Sequence, residues 1–436
     1  MIELTPEQRA AVEQREGPML LSANAGSGKT SVLVERFVAA VLEDEIAPAQ
    51  LLAITFTDKA AGELRSRVRA RLGELGERSA ARDVERAQIS TIHGFCSGVL
   101  RAHAVAAGLD PGFTVLPTST TRALRERAFD AALAELLADA GGAPRTDALD
   151  LAAAWGPDRL RSAVVEVHDA LRSQGQTVPR LPPCVPRITE VAATEGLRRA
   201  TAAFAGELET ARTGVKTVDA ARGVLSECSS LLEGAGPTRE ALAGMKVARG
   251  AAELKTEVCG AWVDAVARVG EALDDEEAAA AHALLEETLA AFAAAYAAGK
   301  RALSGLDYDD LELFTRDLLR DEPAVAKGYA ERFERIMVDE FQDTNRLQLD
   351  LIHALDRQNV FLVGDELQSI YGFRHADVAL FREQREAHAG RGQAPLIVSS
   401  SSGRERQFVA RTRASPRPAW ASRCSRNSAT SAWRKP

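Results

Sequence analysis

Leu20-Leu21-Ser22-Ala23-Asn24-Ala25-Gly26-Ser27-Gly28-Lys29-Thr30 passes from an apolar run through a loop of small residues into an amphipathic stretch, and that order decides the fold. The run reads as a strand. Val34, Phe37, Val38 and Val41 then recur on one helical face. A strand, a loop and a helix in this order form the setting a phosphate loop requires. Small side chains at Ala25, Gly26, Ser27 and Gly28 let successive backbone N–H groups curl around phosphates, and the helix N-terminus adds its dipole. Lys29 is placed to reach the β- and γ-phosphates of ATP, and the Thr30 hydroxyl to ligate Mg²⁺. Ala23 stands where the strict pattern has its first Gly. A Gly-rich turn arising by chance is the alternative, and the flanking strand and helix speak against it.

A second apolar run, Arg335 to Val338, ends in Asp339-Glu340. At such a strand end Asp339 would hold the Mg²⁺ through water, and Glu340 would orient and deprotonate an attacking water. Paired acids alone more often mark an acidic turn, but these are followed by Phe341-Gln342-Asp343-Thr344-Asn345. Val360 to Gly364 is the next strand, ending at Asp365, with Gln368-Ser369-Ile370-Tyr371-Gly372-Phe373-Arg374 beyond it. Gln368 is placed to sense a γ-phosphate. Phe373 can stack on a base and Arg374 can meet a backbone phosphate, the combination that grips single strands. Core packing of Tyr371 and Phe373 is the alternative for that segment.

Roughly 300 residues separate Lys29 from Asp339, far more than one strand–helix crossover needs, so a domain is inserted between them. The expected organisation is an α/β parallel-sheet domain built from two stretches, residues 1–115 and 301–390, and interrupted by an all-helical insertion at 116–300. Further strands are expected at Pro18 to Leu21, Leu51 to Phe56 and Gln88 to Ile92, and a helical face at Ala60, Leu64, Val68 and Leu72. Within the insertion, Leu285, Leu289, Phe292 and Tyr296 trace one stripe, and Asp274-Asp275-Glu276-Glu277 reads as a helix start. Residues 391–436 form a basic tail without apolar pattern, expected to be disordered.

The five cysteines show no CxxC pair and the histidines no ligand spacing, so reduced thiols and no transition-metal site are expected. No signal peptide and no apolar run of about 18 residues stand out, which makes the cytoplasm the expected location. The net charge of −8 does not advertise a nucleic-acid binder, although a motor gripping one strand needs only a local basic groove.

The order of these segments resembles the UvrD/Rep family of superfamily-one DNA helicases. Leu4-Thr5-Pro6-Glu7-Gln8-Arg9 is similar to its adenine-reading motif, which makes Gln8 the base contact. Ile54-Thr55-Phe56-Thr57-Asp58-Lys59-Ala60-Ala61 and Ser90-Thr91-Ile92-His93-Gly94-Phe95-Cys96 resemble its DNA-facing segments, with Asp58 where Asn is more common. Val338 to Asn345 and Val363 to Arg374 resemble its metal-binding and coupling motifs. The long insertion and Leu306-Asp307-Tyr308-Asp309-Asp310-Leu311-Glu312 look like the AddA/RecB branch. The resemblance implies a RecA-like P-loop NTPase lobe (1A) with a helical insertion (1B), ATP and Mg²⁺ as cofactors, and 3′-to-5′ movement in repair or recombination. It implies single-stranded DNA or a single-/double-strand junction as partner, together with a nuclease subunit. Phe56, Thr57, His93, Tyr371, Phe373 and Arg374 are then DNA-facing, and Gln368 couples the two ligands.

Taken alone, His93 reads as a satisfied histidine, and Asp307 to Asp310 read equally well as the cap of the helix carrying Leu311, Phe314 and Leu318. The family's second lobe, with its arginines for the γ-phosphate, has no counterpart after Phe381. A frameshifted or truncated product that hydrolyses ATP slowly is therefore expected. The rival reading is a catalytically silent remnant that only holds nucleotide or single-stranded DNA.

Overall fold

Alternate side chains of the apolar runs face opposite sides of one parallel sheet. The computed structural model describes residues 4–23, 27–138, 145–185, 188–212, 214–234, 236–248, 250–355, 359–368, 378–390 and 396–398. Its strands in chain order are β1 (Met19–Ala23), β2 (Leu51–Thr55), β3 (Gln88–Thr91), β4 (Thr114–Val115), β5 (Gly305–Leu306), β6 (Arg335–Val338), β7 (Val360–Gly364) and β8 (Leu396–Val398). Six form a sheet in the order β3-β2-β6-β7-β1-β8, every pairing parallel, and β4 pairs with β5 separately.

Leu51, Ala53, Met337, Phe361 and Val363 pack on one side, against the helices Lys29–Leu42 and Asp58–Glu74. Leu52, Ile54, Ile336, Val338, Val360 and Leu362 pack on the other, with the helices Ile92–Ala102, Tyr308–Asp321 and Arg346–Leu355. Burial on both faces is why these strands read as unbroken apolar runs, and each fully buried Leu, Ile or Val contributes about 1.5–3 kcal/mol. Threonines mark two of the strand–helix junctions. The Thr57 hydroxyl accepts from the Ala60 N–H and the Thr91 hydroxyl from the Gly94 N–H, each at 3.1 Å.

The pairing Thr114↔Gly305 and Val115↔Leu306 brings together the two stretches of sequence that build the sheet. What lies between is helical, but it divides into two groups. Among the described residues, those within 4–138, 155–180 and 289–398 form one compact unit, and those within 145–154 and 181–288 form the second. The helices Thr118–Leu137 and Pro157–Ser173, expected inside the insertion, therefore belong to the unit that holds the sheet. The core of the second unit is formed by Leu197, Phe204 and Leu208 with Val218, Leu225 and Cys228 on two helices and Trp262 on a third. The Trp262 indole donates to the Thr201 hydroxyl at 3.0 Å.

Two expectations are corrected. Asp274 to Glu277 do not start a helix but lie within the single helix Glu257–Ala302, where Arg239 pairs with both Asp274 and Glu277. Gly270, one turn before the acids, stays within the helix, and the guanidinium supplies the compensation a helix N-terminus would have given. Leu396–Val398, within the stretch expected to be a tail, pairs parallel to β1 as the sheet's sixth strand. Three consecutive apolar residues next to β1's open edge outweigh their polar surroundings.

Asp307 is the N-cap of the helix Tyr308–Asp321. It accepts from the Asp310 N–H at 2.8 Å, and Asp310 accepts from the Asp307 N–H at 3.1 Å. The capping alternative is thus realised, and both carboxylates are buried besides. Lys300 Nζ lies 2.7 Å from Asp307 and 2.5 Å from Asp310, Arg172 lies 2.6 Å from Asp310, and the Tyr296 hydroxyl donates to Asp307 at 2.9 Å. Burial raises the Asp307 carboxyl, but Lys300 and Arg172 outweigh it and hold the group well below the usual carboxylate range. Replacing Lys300 by Met leaves two buried acids with one guanidinium and is expected to cost about 3–5 kcal/mol. Urea unfolding of Lys300→Met measures this, and a loss below about 1 kcal/mol would mean the cluster can do without its ammonium.

Candidate functional site

Gly28 turns the loop after β1 into the helix Lys29–Leu42 with φ of +81°, the left-handed region. A Cβ there would also stand 2.8 Å from the Gln8 side-chain nitrogen. Gln8 uses both ends of its amide within the chain. Its Nε2 donates to the Ser27 carbonyl at 2.7 Å, and its Oε1 accepts from the Thr5 N–H at 2.8 Å. The expected base contact therefore also props the loop. Arg36, buried in the helix that follows, donates to the carbonyls of Ala11 and Gln14 and so fixes the C-terminal end of the helix Pro6–Glu13 that bears Gln8.

Lys29 Nζ lies 3.3 Å from Glu340 Oε2 and 3.5 Å from Gln368 Oε1, so three segments far apart in sequence converge on one ammonium. β6 ends at Val338, and the Asp339 N–H still donates to the Ile54 carbonyl of β2 at 2.9 Å. Glu340 then adopts φ of +51°, rare for a residue with a side chain. Burial, reinforced by the Glu340 charge, pushes the Asp339 carboxyl up to about 6.

Gln342 does not stand out in the sequence, yet it wires the site. Its Nε2 donates to Glu340 at 2.8 Å and to Asp343 at 3.3 Å, while its Oε1 accepts from the Asp365 N–H at 2.9 Å. Gly364 permits this approach, since a Cβ there would come within 2.6 Å of the same Oε1. Gln368 in turn donates to Asp365. Thr30, Asp339, Glu340, Gln342 and Gln368 line a cavity of about 360 Å³, which Phe56 and Thr57 border on another side.

The Thr57 hydroxyl is committed to capping its helix, and Asp58 accepts from the Thr91 hydroxyl at 3.2 Å, so the two DNA-like segments are tied together. His93 is not in the cavity. Its Nε2 lies 3.0 Å from Glu312, and its ring is 4.7 Å from the ring of Tyr308. The expected site residues Ala25, Gly26, Tyr371, Phe373 and Arg374 lie outside the described residues.

The donor set fits a nucleotide with a divalent cation. The buried Ser27 hydroxyl has no hydrogen-bond partner among the described residues, Lys29 supplies a cation, and Thr30 and Asp339 offer hard oxygens to one cavity.

Comparison with known proteins adds to this geometry. Residues 4–389 match the family described as the UvrD/REP helicase N-terminal domain. The chain is 29% identical to the A-subunit of the ATP-dependent helicase/nuclease of Syntrophomonas wolfei, over 89% of this chain and 35% of that protein. It is 30% identical to the protein of the same name from Alkaliphilus metalliredigens (88% and 36% covered) and 31% identical to that from Moorella thermoacetica (92% and 34%). The chain thus spans about a third of the length of the curated relatives it matches. These names agree with the helicase–nuclease branch that the insertion and the Leu306 to Glu312 segment resemble. With the match running from Leu4 to the helix after β7, across every motif assembled around the cavity, the chain belongs to the UvrD/REP helicase family.

Proposed function

We propose that this chain is the ATP-binding portion of a DNA translocase that moves 3′ to 5′ along single-stranded DNA in repair or recombination. The observation that carries the reading is the convergence of Lys29, Glu340 and Gln368 from three separate strand ends. Backbone N–H groups of the loop ending at Gly28, together with Lys29, would hold the phosphates of ATP, and Gln8 would stand beside the base. Thr30 and Asp339 would hold Mg²⁺, which supplies charge neutralisation at the phosphates when bound. Glu340 Oε2, held by the Gln342 amide, is the atom positioned to take a proton from an attacking water. Gln368 reaches Lys29 and Asp365 at once, which suits it to report the state of the phosphate site.

Phe56, Thr57 and His93 would face the DNA, with Tyr371, Phe373 and Arg374 extending that surface. A nuclease partner is what the relatives' names suggest. No helix among the described residues is long and apolar enough to cross a membrane, and we place the work in the cytoplasm.

The test is nucleotide binding and hydrolysis by the 436-residue chain, with and without single-stranded DNA, beside Lys29→Ala. Lys29→Ala is expected to weaken Mg-ATP binding or turnover by about 10²-fold or more. Nucleotide binding indifferent to Lys29 would overturn the site. Turnover that rises with DNA supports a motor. Binding without turnover favours the silent nucleotide- and DNA-holding module instead.

A second expectation concerns Asp339. Its folded pKa of about 6 exceeds the unfolded value, so the folded chain binds the proton more tightly and stability falls as pH rises from about 4 to about 6. In metal-free buffer at pH 7.5, Asp339→Asn should therefore gain up to about 3 kcal/mol. The gain should vanish near pH 4, and thermal unfolding at the two pH values checks both.

A further inference from the structure

Glu312 lies on the helix Tyr308–Asp321, and its side chain is only 3% exposed. Two side chains from different elements meet one of its oxygens. Gln348 Nε2 donates to Oε1 at 2.6 Å, and His93 Nε2 lies 3.0 Å from the same atom. A buried carboxylate costs several kcal/mol unless it is paired in this way. Gln348 is itself fixed. Its N–H donates to Asn345 Oδ1 at 2.8 Å, and its Oε1 accepts from the Asn345 N–H at 3.4 Å, so its Nε2 is the end that faces Glu312. Asn345 closes the segment that opens with Asp339 and Glu340, and Gln342, Asp343 and Thr344 between them are buried. At the other end, the His93 side chain is 31% exposed, and Tyr308, against its ring, is 53% exposed. Asn345, Gln348, Glu312 and His93 thus follow one another in polar contact from the acidic segment to a half-buried imidazole.

We propose that Glu312 is a positioning residue that orients His93, and that Gln348 ties it to the Asp339–Asn345 segment and so carries the state of that segment to the surface that binds single-stranded DNA. This rests on the function proposed above. Glu312 lies 3.0 Å from His93 Nε2, so it holds that side of the imidazole and leaves the Nδ1 side for a ligand. Any displacement of Asn345 moves the Gln348 amide, because two hydrogen bonds hold the pair together, and the amide shares its acceptor with the imidazole.

The experiment is fluorescence anisotropy of a labelled oligo-dT with the whole 436-residue chain, with and without Mg²⁺ and a non-hydrolysable ATP analogue. Wild type is compared with Glu312→Leu, Glu312→Gln and Gln348→Leu, each first checked for an unfolding midpoint close to wild type. Glu312→Leu is expected to weaken oligonucleotide binding about 5- to 20-fold, and Glu312→Gln, which keeps an acceptor, to recover to within about threefold of wild type. Gln348→Leu should keep nucleotide affinity and nucleotide-free DNA affinity within about twofold of wild type while losing the nucleotide-induced change in DNA affinity. If Glu312→Leu fails to fold, the other two variants carry the test. Unchanged DNA affinity in Glu312→Leu, or a full nucleotide response in Gln348→Leu, overturns the relay alone. A wild type that binds DNA and nucleotide independently overturns the transmission. A wild type that binds neither overturns the proposed function and the relay with it.

Discussion

Lys29 and Glu340 stand 311 positions apart in the chain and 3.3 Å apart in space, and every feature of the cavity depends on that meeting. Closing a flexible loop of that length costs about 5 kcal/mol on the logarithmic scaling of loop entropy. A single ion pair does not offset this, since such a pair at a partly exposed position is worth at most about 1 kcal/mol. The short pair β4–β5 changes the problem. By holding Thr114 against Gly305, it lets β6 find β2 across a much shorter span, and the sheet's double-sided core then stabilises the closure. In physical terms the ion pair is a consequence of the sheet, and the β4–β5 pairing brings together the two stretches of sequence that build it.

Within that frame the site is held in conformations that cost free energy locally. Glu340 has a left-handed backbone, Asp339 is a carboxylate short of water beside another carboxylate, and Ser27 has a buried hydroxyl without a partner among the described residues. Each is what a protein arranges where a ligand will supply the missing charge or hydrogen bond. Gln342 keeps the arrangement from relaxing, because it is hydrogen-bonded to Glu340, Asp343 and Asp365 together. Gly364 is the concession made on β7 to admit it.

The features of this structure legible in the sequence are those encoded locally. β6 and β7 occupy the residues expected of them, and β1, β2 and β3 fall within a residue or two, because apolar runs bounded by loop residues carry their own signal. The acids after β6 and the Lys-Thr after β1 can be read because strand ends and helix starts impose their own residue types. Gln342, Gln348 and Glu312 cannot be read that way. Each is one polar residue among others along its element, and only the tertiary structure reveals what it meets. Gln8 is legible as a motif position, but its bond to the Ser27 carbonyl belongs to tertiary structure. Asp274 to Glu277 mislead for the same reason in reverse, since the compensating Arg239 comes from another helix. Leu396–Val398 escapes a reading of the sequence because three residues are too few for a period, and only the neighbouring strand β1 turns them into a strand.

The segment Asp339–Asn345 has two polar arms. One passes through Gln342 and Asp365 to Gln368, the other through Gln348 and Glu312 to His93. Apolar packing could have held these elements equally firmly, and for stability alone buried polar groups are a poor choice. What hydrogen bonds add is direction. An apolar contact tolerates sliding, whereas the bond of an amide that donates to one carboxylate weakens steeply as the amide turns away from its acceptor. A segment whose carboxylates must respond to a phosphate, and whose response must be felt at a distance, therefore gains from polar arms despite their cost. Under the proposed function this explains why both exits from the acidic segment are built from amides and carboxylates beside a sheet whose two faces are packed with apolar side chains.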